Sequence, residues 1–139
     1  MRTIRVGIVE DNSFFIRVMH NKLVRHSYQL ERYWDCNFEL FAFSRGAEFL
    51  AFDKVELDIL FLDYHLDNGM NAAGLIEAKY PISTHHPNIV IVTEDAKTAN
   101  ALSANDPRIA EVIRKDAYVI PRTCIYVEDY TKLELRHDA

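Results

Sequence analysis

The stretch Leu57-Asp58-Ile59-Leu60-Phe61-Leu62-Asp63 decides the fold class. It is almost wholly apolar from Leu57 to Leu62 and then stops at a carboxylate. A strand with one wet face alternates apolar and polar residues, whereas a strand buried on both faces reads as a continuous apolar run, as in parallel sheets. Ile4 to Val9, Phe38 to Phe43, Asn88 to Val92 and the shorter Glu111 to Arg114 read as further strands. Between them lie segments with helical spacing. Ser13 to Arg25 repeats Phe15, Ile16, Met19 and Leu23, after Asn12 and Ser13 as N-cap candidates. Ser44 to Phe52 is a second helix, Asn71 to Tyr80 a third that stops at Pro81, and Lys97 to Asn105 a fourth, followed by Pro107. A last helix lies between Thr123 and His137, and residues 26–37 read as a long irregular connection. Strands alternating with helices imply an α/β chain: one five-stranded parallel sheet, doubly wound, with helices on both faces.

The 139 residues, 49% of them apolar, suit a single domain over 1–139 with a sizeable core. The net charge of −5 and the lack of any run of five like charges argue against a nucleic-acid groove or a polybasic membrane patch. Cys36 and Cys124 match no metal spacing and read as reduced thiols. His20, His26, His65, His85, His86 and His137 likewise show no metal-ligand spacing. The apolar run at the N-terminus is too short for a signal peptide, and no apolar stretch approaches the ~20 residues of a membrane span, so a cytoplasmic location is expected.

In open parallel sheets, ligands bind beyond the carboxyl ends of the strands. The first strand ends in Glu10-Asp11, the third in Asp63, the fourth in Thr93, and the fifth runs into Lys115. Any one of these alone is an ordinary solvated loop residue. Together they deliver three carboxylates, a hydroxyl and an ammonium to one edge. Clustered carboxylates repel one another unless a cation is present, and Mg²⁺ takes oxygen ligands while keeping several waters. Such an ion draws in a phosphoryl donor, one carboxylate can attack phosphorus, and the hydroxyl and ammonium can hold the phosphoryl oxygens.

Val-Gly-Ile-Val-Glu-Asp-Asn, Leu-Phe-Leu-Asp-Tyr-His-Leu, Ile-Val-Ile-Val-Thr and Val-Ile-Arg-Lys-Asp resemble the strand signatures of response-regulator receiver domains. The separations agree, with 93 − 63 = 30 and 115 − 93 = 22, and the resemblance covers essentially the whole chain. It implies a flavodoxin-like fold and a phospho-accepting switch in a two-component relay. By this resemblance Asp63 is the phospho-acceptor. Glu10 and Asp11 position Mg²⁺, with Asp63 and the backbone carbonyl of His65 as further ligands. Thr93 turns toward the phosphoryl group and Lys115 pairs with it. The donor is a histidine kinase or phosphotransfer protein, and the chain is not itself an enzyme beyond self-catalysed phosphorylation and dephosphorylation. The segment after Lys115 suits the last helix, so output is expected through binding another protein; a homodimer is allowed.

Four features depart from the family's pattern. The separation 63 − 11 = 52 is longer by one or two helical turns, an excess assigned to the connection around His26 to Asn37. Glu94 stands where a small residue is usual, and its bulk and charge are expected to narrow access to Asp63. Val112 replaces an aromatic switch residue, so a phosphorylation signal is expected to travel as a backbone shift after Thr93. Arg108 stands where glycine is expected. The alternative is a pseudo-receiver, a binding module that keeps the fold without phosphorylation. A Mg²⁺-dependent aspartyl phosphohydrolase is a further alternative, but it needs an acid two residues past the nucleophile, where His65 stands. Flavin binding is opposed by the absence of a Gly-rich phosphate loop after the first strand. Phe14 and Phe15 are read as mostly core, with one of them free to face a partner; Tyr118, Tyr126 and Tyr130 are read as packing of the last helix, with an exposed interface as the alternative.

Overall fold

A computed structural model describes residues 1–82 and 84–136; His137 lies outside them. Strands β1 (Arg2–Val9), β2 (Cys36–Phe43), β3 (Ile59–Leu62), β4 (Asn88–Thr93) and β5 (Ile109–Arg114) alternate with helices α1 (Ser13–Tyr33), α2 (Gly46–Ala51), α3 (Ala72–Lys79), α4 (Ala96–Asn105) and α5 (Val119–Arg136). All strand pairs are parallel, in the order β2-β1-β3-β4-β5. The chain steps outward from β1 to β2 and then returns past β1 to β3. The gap beyond the carboxyl ends of β1 and β3 is therefore the topological switch point of the sheet.

The continuous apolar runs have the expected cause. Every residue of β3 is buried, as are five of the six in β4. One core lies under α1 and α5, where Met19, Leu23, Val119 and Val127 pack on Ile4, Val6 and Phe61. The other lies under α2, α3 and α4, where Phe49, Leu75, Ile76 and Ala99 pack on Leu60, Leu62 and Ile91. The doubly wound architecture read from the sequence is the one observed.

Two boundaries differ in an informative way. Residues 26–37 are not a connection: α1 runs on for 21 residues and ends at Tyr33. Its buried line Met19, Leu23, Ser27 and Leu30 continues through that segment at helical spacing. Ser27 passes for core because its hydroxyl donates to the Val24 carbonyl at 2.8 Å. Residues 26–33, most of the segment expected to hold the extra length, are thus two more turns of α1. The last helix starts at Val119, ahead of Thr123. Pro121 falls in its first turn, where a missing N–H costs no intrahelical bond.

Arg108, an anomaly in the sequence, is a buried clamp at the entry to β5. Its guanidinium donates to both carboxylate oxygens of Asp106 at 2.9 Å, to the Tyr80 carbonyl at 2.7 Å and to Glu77 at 3.0 Å. It ties the end of α3 to the α4–β5 loop, and its hydrogen bond holds the Asp106 carboxyl below its usual range.

Candidate functional site

Each residue that ends a strand is fixed by a backbone bond to the neighbouring strand. The Glu10 amide donates to the Phe43 carbonyl at 3.1 Å, the Asp63 amide to the Val9 carbonyl at 3.0 Å, and the Lys115 amide to the Thr93 carbonyl at 2.9 Å. The sheet therefore sets the spacing of these side chains, and the loops beyond need only leave them room. Glu10, Asp63 and Thr93 are buried, Lys115 is half-buried and Asp11 is exposed.

The five side chains share one cavity of about 450 Å³. The Lys115 ammonium donates to Glu10 Oε2 at 2.8 Å and to Asp63 Oδ2 at 3.1 Å. The other Glu10 oxygen, Oε1, accepts from the Asn12 amide at 3.1 Å. Asn12 Oδ1 in turn caps α1 by accepting from the Phe15 amide at 2.9 Å. Thr93 Oγ1 accepts from the Asp95 amide at 3.2 Å.

Burial and the neighbouring charges together set the titration behaviour. Burial, partly offset by the Lys115 hydrogen bond and reinforced by the Asp63 charge, pushes the Glu10 carboxyl up to about 7. For Lys115, burial alone would lower the ammonium. Its hydrogen bond and charge contact with Glu10, then the Asp63 charge, outweigh that and hold it above the usual lysine range. Three carboxylates thus face one ammonium, an arrangement short of positive charge.

That shortage is where a cation fits. One oxygen from each of Glu10, Asp11 and Asp63 lies within 4.8 Å of the others. All three are hard oxygen donors at the wall of an open cavity, which suits a hard ion that keeps part of its water shell. The His65 residue lines the same cavity.

The structure adds contacts that sequence reading missed. His65 Nε2 lies 2.7 Å from Asp95 Oδ2, linking the loop after β3 to the loop after β4. Asp95 also caps α4 through Thr98, and the His65 hydrogen bond, foremost, brings its carboxyl down to about 2. His65 and Asp95 each stand two residues past a site residue on adjacent parallel strands, a symmetry the sequence does contain. Asn68 (φ 57°) and Gly69 (φ 73°) take left-handed backbone and turn the loop that carries His65 back toward α3. Phe15, read as core, lies with its ring centroid 4.5 Å from Lys115 Nζ, while Phe14 beside it is 72% exposed. Glu94 is exposed and lines the cavity, as its position beside Thr93 suggested. Val112 is half-buried against the α2–α4 core. Tyr118 is exposed; Tyr126 and Tyr130, on α5, pack against the α1–α5 core.

A receiver domain from Methanospirillum hungatei JF-1, described as CheY-like, superposes with a TM-score of 0.71 over 99% of both chains at 16% identity. The chain has the receiver-domain fold. A receiver-domain protein from Clostridium thermocellum gives a TM-score of 0.69 at 13% identity, covering 94% of this chain and 96% of its own. The receiver domain of Francisella response regulator 1452 gives 0.66 at 16% identity, covering 94% and 98%. At the sequence level no family model and no curated protein matches. Among the described residues, no helix is long and apolar enough to cross a membrane.

Proposed function

We propose that this chain is a phospho-accepting receiver of a two-component relay, with Asp63 as the acceptor. The observation that carries the reading is the double contact of Lys115. One ammonium bridges the buried Asp63 and Glu10 at 3.1 and 2.8 Å, with Asp11 beside them. A purely structural ion pair has little use for a third carboxylate or for an open cavity at the switch point of the sheet.

In the proposed reaction an Asp63 carboxylate oxygen attacks the phosphorus of a phosphohistidine on a kinase or phosphotransfer protein. The O–P bond forms, the N–P bond breaks, and the freed imidazole nitrogen takes a proton from solvent. Glu10, Asp11 and Asp63, with the His65 carbonyl, would hold Mg²⁺. When bound, the ion supplies positive charge to the transferring phosphoryl oxygens. Lys115 then exchanges its contact on Asp63 Oδ2 for a phosphoryl oxygen, a charge-assisted hydrogen bond. Thr93 Oγ1 is free to donate toward the same group, since its present bond is one it accepts. Drawing Thr93 inward pulls on the Asp95 amide and so on the start of α4. New contacts on the order of 1–3 kcal/mol are enough to bias two states of that segment. Val112 is too short to serve as a ring-flip switch, so the backbone from Glu94 to Asn105 carries the change. The chain acts as an acceptor rather than as an enzyme on a separate substrate, and a cytoplasmic setting suits its donor.

Beryllofluoride with Mg²⁺ mimics the phosphoryl group and tests the reading by NMR. Shifts at Asp63 that spread through residues 93–115, and vanish in Asp63→Asn, support it. An unresponsive wild-type spectrum would favour the pseudo-receiver, a binding module that works without phosphorylation.

A further inference from the structure

We propose that Phe15 is a positioning residue of this site: its ring face holds the Lys115 ammonium beside Asp63. The inference rests on the phosphoryl-acceptor reading and adds a residue to it. A lysine ammonium has three N–H donors. Two are taken by Glu10 Oε2 at 2.8 Å and Asp63 Oδ2 at 3.1 Å. The Phe15 centroid lies 4.5 Å from the same nitrogen. That is within the ~6 Å reach of a cation–π contact, which strengthens as the pair is withdrawn from water. Here Lys115 is 12% exposed and Phe15 packs against the α1–α5 core.

The ring is held in place by the site itself. Asn12 Oδ1 accepts from the Phe15 amide, the Asn12 amide donates to Glu10 Oε1, and Glu10 Oε2 accepts from Lys115. Glu10, Asn12, Phe15 and Lys115 thus close a circuit in which the first turn of α1 is registered against the ammonium. An aromatic face suits this place better than another polar group. It attracts the cation without neutralising it, and it offers no acceptor that would compete with a phosphoryl oxygen. Lys115 can therefore pass from Asp63 Oδ2 to a phosphoryl oxygen while remaining over the ring. Phe14, 72% exposed and without a cation–π partner among the described residues, supplies an internal control.

The test replaces Phe15 with mono-, di- and trifluorophenylalanine, which drain the ring's negative face at nearly constant shape. Half-saturation by beryllofluoride in the presence of Mg²⁺ is read for each protein. We expect a stepwise weakening along the series, reaching roughly three- to thirtyfold at trifluorophenylalanine, with a small parallel fall in melting temperature, because the contact is already made in the free protein. The same series at Phe14 should be flat. Phe15→Leu should be weak, and Phe15→Trp should restore binding. A flat response at position 15 overturns the proposal, because volume alone would then explain the ring. A second readout does not depend on phosphoryl chemistry: the Lys115 ε-methylene protons should lie upfield in the wild type and move to ordinary values in Phe15→Leu. Ordinary values in the wild type overturn the contact. An upfield shift in a wild type that takes up no beryllofluoride leaves the contact standing and refutes the acceptor reading instead.

Discussion

Replacing Arg108 with methionine isolates the buried clamp between α3 and β5. The side chains of Arg108 and Asp106 are only 8% and 10% exposed, and the guanidinium contacts both oxygens of Asp106. Methionine fills similar volume but leaves the Asp106 carboxylate buried without its cation. Breaking a buried pair from one side costs about 3–5 kcal/mol, and the lost bond to the Tyr80 carbonyl adds to this. Urea unfolding at pH 7 should report a loss in that range, and the melting midpoint should fall on the order of 10 °C. The sign with pH is also fixed. Arg108 depresses the folded-state Asp106 carboxyl, so its stabilisation is present above the ordinary value of 3.8 and is lost as pH falls through the lower folded value. The variant should lack this part of the acid dependence. Adding Asp106→Asn to Arg108→Met should recover part of the loss, because no buried charge then remains unpaired. A single-variant loss below about 1 kcal/mol would refute the reasoning, since an uncompensated buried carboxylate cannot be that cheap.

Three further outcomes are expected. Glu10, raised to about 7, holds its proton more tightly folded than unfolded, where the value is 4.5; its stabilising contribution is full below about pH 4.5 and is lost as pH rises through 7, roughly 3 kcal/mol in all. With chelator present, urea titrations of Glu10→Gln should lack that decline, and Mg²⁺ should offset it in the wild type. Glu94→Ala should take up phosphoryl groups from small anionic donors about threefold faster, the scale of one nearby like charge in water, while transfer from a cognate kinase changes less; equal or slower uptake by intact mass would count against a gating role. His65→Ala removes the 2.7 Å link to Asp95 across the cavity and should loosen the start of α4, seen as faster amide exchange at Thr98 and Ala99; unchanged exchange would show that the link does not restrain the helix.

The parallel sheet was legible because burial on both faces forces continuous apolar runs, and the site because its backbone lies on the next rung of the same ladder. Asp63 and Lys115 occupy those rungs by geometry, which is why the ends of apolar runs were the right places to look. The extension of α1 was hidden because residues 26–33 offer only Ser27 and Leu30 to the core, and a serine does not signal burial. Pro121 masked the start of α5, although a first turn tolerates it. Arg108 read as an oddity because its partners, Asp106, Tyr80 and Glu77, come from two separate segments. The Phe15–Lys115 and His65–Asp95 contacts depend on how loops from different strands meet, and no local periodicity encodes that. The position of Glu94 at the cavity was foreseen because it directly follows a strand-end residue.

The most direct test of the acceptor reading is the intact mass of the protein after incubation with Mg²⁺ and a phosphoryl donor, alongside Asp63→Asn. The wild type should gain the mass of a single phosphoryl group, Asp63→Asn should gain none, and chelation of Mg²⁺ should abolish the gain. A wild type that stays unmodified with both a small donor and a phosphorylated histidine protein would contradict it, as would equal labelling of Asp63→Asn.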